Sequence, residues 1–224
     1  QINAVNIVLK MLIGDFHETA LNIAGQVGIP VHQVLRGDEI VHMSGEELQK
    51  KVNEISIFAR MYPEAKVKVI QALKANNEIV AMIGDGVNDG PALKVSDIGI
   101  TLGQKGTETA KGASDLVITD DDLGRVIAAV SEGRRIYFNL VKAIRYIISI
   151  HIPIILTASL PLILGWKFPN IFTPIHVIFL ELIMGPTCSI FFEREPVETD
   201  VMRMEPRKRQ TGLFRGNQLL ISIL

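Results

Sequence analysis

At 224 residues the chain is long enough for one large domain or two modest ones, and its charges nearly cancel, with 23 Lys+Arg against 24 Asp+Glu. That balance excludes a broadly basic nucleic-acid binder and an acidic disordered tail, and a single cysteine, Cys188, excludes an internal disulfide framework or a cysteine-based zinc site and fits a reducing compartment or a membrane interior. The 48% share of hydrophobic residues is high for a soluble domain, and it is unevenly spread along the chain.

As far as about Arg145, short apolar runs alternate with polar, helix-periodic stretches, which is the rhythm of a parallel α/β sheet. Strands are predicted over residues 7–13, 55–59, 79–83, 98–101 and 116–119. Ser44-Gly45-Glu46 reads as a helix start. The clearest helix is 63–75: Pro63 suits the first helical position, where its missing N–H is not needed, and Val67, Ile70 and Leu73 mark one face.

Beyond Arg145 the pattern changes. Residues 146–164 are 19 in a row without Asp, Glu, Lys or Arg, and residues 168–192 are 25 with Glu181 as the sole charge. Each approaches or exceeds the ~20 residues with which an α-helix crosses a bilayer. Gly165-Trp166-Lys167 separates them, so an antiparallel hairpin with Trp166 near an interface is expected. Arg134, Arg135, Lys142 and Arg145 precede the first span, Arg203, Arg207, Lys208, Arg209 and Arg215 follow the second, and the turn carries only Lys167. The positive-inside rule then puts the α/β part and the 193–215 loop in the cytoplasm. A buried helical hairpin in a soluble protein would have to produce both spans and the charge bias by coincidence. From Leu123 the helical pattern continues through Ile136, Leu140 and Ile147, so one helix to Leu164 is predicted, 42 residues long or roughly 63 Å. Pro153 and Pro161 are expected to kink or unwind it, freeing carbonyls as possible ion ligands.

The stretch richest in chemistry is Ile83-Gly84-Asp85-Gly86-Val87-Asn88-Asp89-Gly90-Pro91, directly after the predicted strand 79–83. In open parallel sheets ligands bind beyond the carboxyl ends of strands, which is where Asp85 and Asp89 would project. Gly84 and Gly86 permit a sharp exit and close backbone approach to a phosphate or metal. The two carboxylates are hard donors suited to Mg²⁺, and Asn88 can donate to a phosphoryl oxygen without adding negative charge. A bare Gly-Asp-Gly is a common turn; the nine-residue run after a strand is far more specific. Lys66, in the opening turn of the helix begun by Pro63, supplies the opposite charge where the helix dipole already favours an anion. Alone, it would read equally well as a solvated lysine beside Lys68.

Residues 83–93 resemble TGDGVNDAPAL, the hinge signature of the P-type ATPases, ATP-driven cation pumps, with Ile83 for Thr and Gly90 for Ala. The resemblance continues through Ser96-Asp97-Ile98-Gly99-Ile100, Ala113-Ser114-Asp115-Leu116-Val117, Glu132-Gly133-Arg134-Arg135-Ile136-Tyr137 and Ile144-Arg145-Tyr146-Ile147-Ile148-Ser149. Ile13-Gly14-Asp15 resembles the family's TGD loop, and Phe58-Ala59-Arg60 with Pro63 and Lys66 resembles the segment holding its phosphate-binding lysine. The calcium-pump-like branch is the nearest. The resemblance implies an incomplete haloacid-dehalogenase-like parallel α/β sheet over 1–121, a stalk helix over 122–145, two transmembrane helices, the family's fifth and sixth, over 146–192, a cytoplasmic loop over 193–215 and the start of a further span over 216–224. It implies that Asp85 holds Mg²⁺, with Asp89 a weaker ligand, that Asn88 and Asp89 order the phosphorylated loop, that Lys66 neutralises phosphoryl charge, and that Asp15 sits beside the same pocket. Gly84 and Gly86 would line it. ATP is the implied substrate; lipid, the transported cation and the rest of a pump are the implied partners, with no nucleic acid. The implied location is a multi-pass membrane protein, in a bacterial inner membrane, with the α/β part cytoplasmic.

Three departures qualify that expectation. The acceptor Asp of the family's DKTGT does not occur in these residues, and the opening at Gln1-Ile2-Asn3-Ala4 reads as the interior of a longer chain. Ile13 and Ile83 replace hydroxyl-bearing Thr; the loss of one such donor near a phosphate costs on the order of 3 kcal/mol. At the ion site Glu181 stands where calcium pumps place an Asn, His151 replaces another Asn, and Ile154 and Gly185 replace carboxylates. A mid-span charge is a functional candidate by default, so Glu181, and with it His151, are candidate ligands of the transported cation; a helix-packing hydrogen bond is the equal alternative for His151. Gly185 and Pro186 are expected to unwind the span beside Glu181. His151 and Cys188 suit a softer metal, but the paired membrane cysteines of heavy-metal pumps are absent. The competing functions are a membrane-anchored phosphatase of the same superfold and a non-catalytic remnant of a pump.

Overall fold

The computed structural model describes residues 7–30, 33–167, 173–196 and 200–206. Among these, residues up to Ile127 form one compact unit and Ala128–Met202 another.

The first unit contains six short strands, β1 (Met11–Leu12), β2 (Val34–Arg36), β3 (Ile57–Ala59), β4 (Ala81–Ile83), β5 (Ile98–Leu102) and β6 (Leu116–Ile118), and six helices, α1 (His17–Val27), α2 (Gly37–His42), α3 (Gly45–Val52), α4 (Pro63–Ala75), α5 (Gly90–Val95) and α6 (Glu108–Ala113). Every strand pair is parallel, in two three-stranded sheets ordered β1-β3-β2 and β4-β5-β6. The α/β class expected from the sequence is therefore present. The predicted strands are shorter than their apolar runs, because Val8, Leu9 and Ile79 lie outside the ladders and are exposed. β2 was not predicted: three residues ending in Arg36 carry no periodic signal.

Packing explains the order. Along β3, Phe58 faces Leu35, Ile40, Leu48, Val52, Ala65 and Val69, while Ile57 and Ala59 face Ala20 and Ala24 of α1. A strand covered on both faces reads as an uninterrupted apolar run, as Ile57-Phe58-Ala59 does. Helix α4 serves two clusters, placing Val69 in the first and Ile70 against Met82, Leu93 and Ala110 of the second half. It begins as predicted, with Pro63 in its first turn. Ser44 caps α3 by accepting from Glu47 N–H at 3.2 Å. At the other end of α3, Lys10 donates to the carbonyls of Val52, Asn53 and Ile55 at 2.8, 3.2 and 2.7 Å, oxygens that a helix terminus leaves without partners. Burial pushes the Lys10 ammonium below its usual range, opposed by Glu78.

Helix α7 (Gly124–Ile163) runs for 40 residues and α8 (Pro174–Glu193) for 20. The single long helix agrees with the sequence pattern to within a residue at each end. Helical geometry persists through Pro153, Pro161 and Pro186, so the predicted unwinding at these prolines is not found. Two hydroxyl side chains near these prolines bond back to carbonyls one turn earlier, Thr157 to Pro153 at 2.7 Å and Thr187 to Ile183 at 2.6 Å. Residues 168–172 of the predicted second span, and the expected span at 216–224, lie outside the described residues. Both helices contain an apolar window long enough to cross a membrane, with 6% of that window buried in each.

Candidate functional site

The two sheets bring their Gly-Asp loops to the same kind of place. β1 runs into Ile13-Gly14-Asp15 and β4 into Ile83-Gly84-Asp85, each at the carboxyl end of a parallel strand. Asp15 is tied to the end of β3 by Arg60 N–H, which donates to its carbonyl at 3.0 Å. From β3 the chain turns through Tyr62 into α4, and the first turn of α4 carries Lys66. Lys66 is buried and donates to Asp89 Oδ1 at 2.5 Å; both side chains are 11% exposed. This contact joins the carboxyl end of β3 to that of β4. The anion that compensates a lysine in the opening turn of α4 is thus a carboxylate 23 residues further along the chain.

Asp89 ends a 3₁₀ turn, Val87–Asp89, and its second oxygen accepts from Gly86 N–H at 3.2 Å. Gly84 lies directly beneath it. A Cβ at 84 would meet Asp89 Cβ at 2.6 Å and Cγ at 2.8 Å, closer than packed carbons approach, so the turn closes only over glycine. Two threonines hold the loop from outside: Thr101 Oγ1, fully buried at the end of β5, donates to Gly84 O at 2.6 Å, and Thr107 N–H donates to Asp85 O at 2.9 Å. Neither was singled out from the sequence, where a Thr ending an apolar strand looks like ordinary β propensity.

The Asp85 side chain is exposed, with no hydrogen bond or ion pair among the described residues, and Asn88 is also exposed. Asp85 therefore presents a free hard-oxygen donor, the chemistry Mg²⁺ takes when it keeps most of its waters. Both oxygens of Asp89 are engaged, by Lys66 and by Gly86. No group of three or more His, Cys, Asp or Glu side chains able to hold a metal occurs among the described residues. Ile13, one of the two residues in place of Thr, packs on the α1 cluster, whereas Ile83 is exposed.

In the helical unit, His151 of α7 and Glu181 of α8 meet at 2.8 Å, Nε2 to Oε1. The other ring nitrogen, Nδ1, lies 2.8 Å from Ile147 O. Cys188 Sγ is directed elsewhere, toward Ala143 O at 3.9 Å. Closer to the loop after α8, Lys142 pairs with Glu195 at 2.6 Å, Asn139 donates to Glu195 O at 3.0 Å, and Arg134 donates to Val201 O at 2.7 Å.

A parallel α/β unit with paired Gly-Asp loops and a buried Lys–Asp contact, followed by apolar helices of membrane length, defines a class that comparison identifies. Residues 2–97 match the haloacid dehalogenase-like hydrolase family, and residues 169–224 match the C-terminal region of cation-transporting ATPases. The chain is similar to a calcium-transporting ATPase of Bacillus cereus, 40% identical over 209 residues, covering 92% of this chain and 23% of the relative. It is 39% identical over 203 residues to a calcium-transporting ATPase of Saccharomyces cerevisiae, covering 89% of this chain and 21% of the relative. It is 35% identical over 219 residues to the human calcium-transporting ATPase type 2C member 1, covering 97% of this chain and 24% of the relative. The chain belongs to the P-type cation-transporting ATPases, and spans about a quarter or less of the length of these relatives.

Proposed function

We propose that this chain is the part of an ATP-driven membrane pump for a divalent cation that holds the metal and lysine side of the phosphorylation site together with two membrane helices. The observation that carries this reading is the Lys66–Asp89 pair at the meeting of two strand ends, with the Asp85 carboxylate free beside it. Phosphoryl transfer asks little covalent chemistry of a protein; it asks for positioning and for positive charge around the equatorial oxygens. Lys66 supplies that charge on a rigid helix start, and Asp89 keeps its ammonium in place while no phosphate is present. Gly84, Gly86 and Thr101 fix the backbone that carries Asp85. Asn88, exposed on the same turn, can donate to a phosphoryl oxygen or to the loop that bears it, and Asp15 lies at the end of the neighbouring sheet. Mg²⁺ bound at Asp85 would offset the negative charge of nucleotide or acyl phosphate.

The acceptor carboxylate must come from a further strand. Among the described residues β1 pairs only with β3 and β4 only with β5, so each keeps an open edge that can accept a strand. Parallel pairing there would put the new strand's carboxyl end on the side where the strands run into the Asp15 and Asp85 loops. In the membrane part, Glu181 and His151 are the proposed ligands of the transported cation, and the basic residues flanking the spans favour a cytoplasmic α/β unit.

The test is phosphoenzyme formation. The full-length protein carrying this chain should form an acid-stable phosphoenzyme from radiolabelled ATP and Mg²⁺, and Asp85→Asn should abolish it. Failure of the wild-type protein to bind a phosphate analogue such as beryllium fluoride with Mg²⁺ would identify a non-catalytic remnant instead.

A further inference from the structure

The geometry around His151 narrows the chemistry of the cation, resting on the reading of Glu181 as its ligand. A carbonyl oxygen only accepts hydrogen bonds, so the 2.8 Å contact from Nδ1 to Ile147 O requires a hydrogen on Nδ1. The other nitrogen, Nε2, lies at hydrogen-bond distance from Glu181 Oε1, 2.8 Å, so one proton is shared between ring and carboxyl. A cation bound by both atoms would take the place of that proton, between the consecutive helices α7 and α8. Fixing one imidazole nitrogen on a backbone carbonyl while the other faces outward is the arrangement that orients metal-bound histidines.

The identity of these atoms discriminates among divalent cations. Ca²⁺ takes six to eight oxygens at about 2.3–2.6 Å and gains little from an imidazole. First-row transition ions of borderline character accept imidazole nitrogen and carboxylate oxygen at about 2.0–2.2 Å. Two ligands about 2.1 Å from one metal at a tetrahedral angle lie about 3.4 Å apart, so the present 2.8 Å separation needs an opening of about 0.6 Å. The side chains are 40% and 51% exposed, open to further ligands. One such oxygen is at hand, since Pro186 withholds the helix N–H that would serve the Leu182 carbonyl, next to Glu181. Cys188, turned toward Ala143, takes no part, which removes the thiolate that a soft monovalent ion would want.

We propose that His151 Nε2 and Glu181 Oε1 form a mixed nitrogen–oxygen seat for a borderline divalent transition ion of the Co²⁺ or Zn²⁺ kind, and that His151 sets the preference for such ions over Ca²⁺. The experiment uses the full-length protein in detergent, with Co²⁺ followed by its visible absorption and radioactive Zn²⁺ and Ca²⁺ followed by equilibrium binding. Wild-type protein should show a Glu181-dependent Co²⁺ band and bind Zn²⁺ more tightly than Ca²⁺. His151→Asn, and the longer His151→Gln, should weaken Zn²⁺ at least about tenfold, a loss that even outer-shell changes produce, and leave Ca²⁺ unchanged; size-exclusion profiles matching wild type establish that the variants are folded. Zn²⁺ and Ca²⁺ binding that survives Glu181→Gln, or no binding of either in the wild type, overturns the assignment of Glu181 and this proposal with it. Binding lost in Glu181→Gln, with a Zn²⁺-to-Ca²⁺ ratio that favours Ca²⁺ or that is unmoved in both His151 variants, overturns the role of His151 alone.

Discussion

Lys66–Asp89 in the α/β unit and His151–Glu181 in the helical unit are contacts of similar length, 2.5 and 2.8 Å, in opposite surroundings. Around the first, the large apolar side chains point inward: Phe58, Ile57, Ile70 and Val69 are buried. Around the second they point outward, with Ile155, Leu162, Ile178 and Leu182 exposed. A buried ion pair is held by the cost of leaving either charge unpaired in a low-dielectric interior, so it acts as a structural fixture until another charge replaces one partner. A pair on an open helix face is held by little more than its own bond, and can give way to an incoming ligand. The difference suits the two tasks proposed for them, one to keep its charge in place and the other to exchange it.

The largest expected effect separates chemistry from scaffold. Asp85→Asn, at an exposed position, should lower phosphoenzyme formation by about a thousandfold, at the upper end of what one electrostatic group contributes, while thermal unfolding stays within error of the wild type. If the inside-out contrast holds, Phe58→Ala should destabilise the α/β unit by about 3–5 kcal/mol, whereas Leu162→Ala, at a side chain 63% exposed, should change detergent-solubilised stability by less than about 1 kcal/mol. Equal losses would abolish the contrast. Lys66→Met should cost about 3–5 kcal/mol by stranding Asp89; adding Asp89→Leu should recover much of that stability in a urea titration without recovering phosphorylation. Ile83→Thr restores a hydroxyl at an exposed position by the proposed phosphate site, and should raise phosphoenzyme yield about tenfold, less than an aligned donor is worth. The smallest effect is at Asp120, whose carboxyl is held below its usual range by the hydrogen bond from Arg125 at 2.9 Å and by Asp122 N–H. A carboxyl pKa lowered by folding stabilises above the ordinary value of about 4 and loses that contribution as acid protonates it. Asp120→Asn should therefore melt slightly lower than wild type at pH 7, with the gap closing below about pH 3.

Much of this was legible before any coordinates. The 63–75 helix was, because proline placement and a 3.6-residue period agree there; the long helix was, because its pattern runs unbroken from Leu123. The Gly-Asp loops stood out through their residue types and their place after strands. What could not be read was pairing at a distance. Lys66 finds Asp89 across 23 residues and His151 finds Glu181 across 30, and no local period encodes either. Thr101 was hidden for the same reason: its hydroxyl has meaning only opposite the Gly84 carbonyl. The prolines misled because the loss of one N–H apiece does not end helices as long as these, which continue through Pro153, Pro161 and Pro186.

The closure of the 84–89 turn also makes sterics the custodian of a charge. With only 2.6 Å between a notional Cβ at 84 and that of Asp89, a methyl group at this position would push the carboxylate off the lysine it holds. Gly84→Ala alters no ionisable group, yet it would behave like the deletion of one. A survey of all substitutions at this site would therefore find size, not polarity, as the property that decides survival.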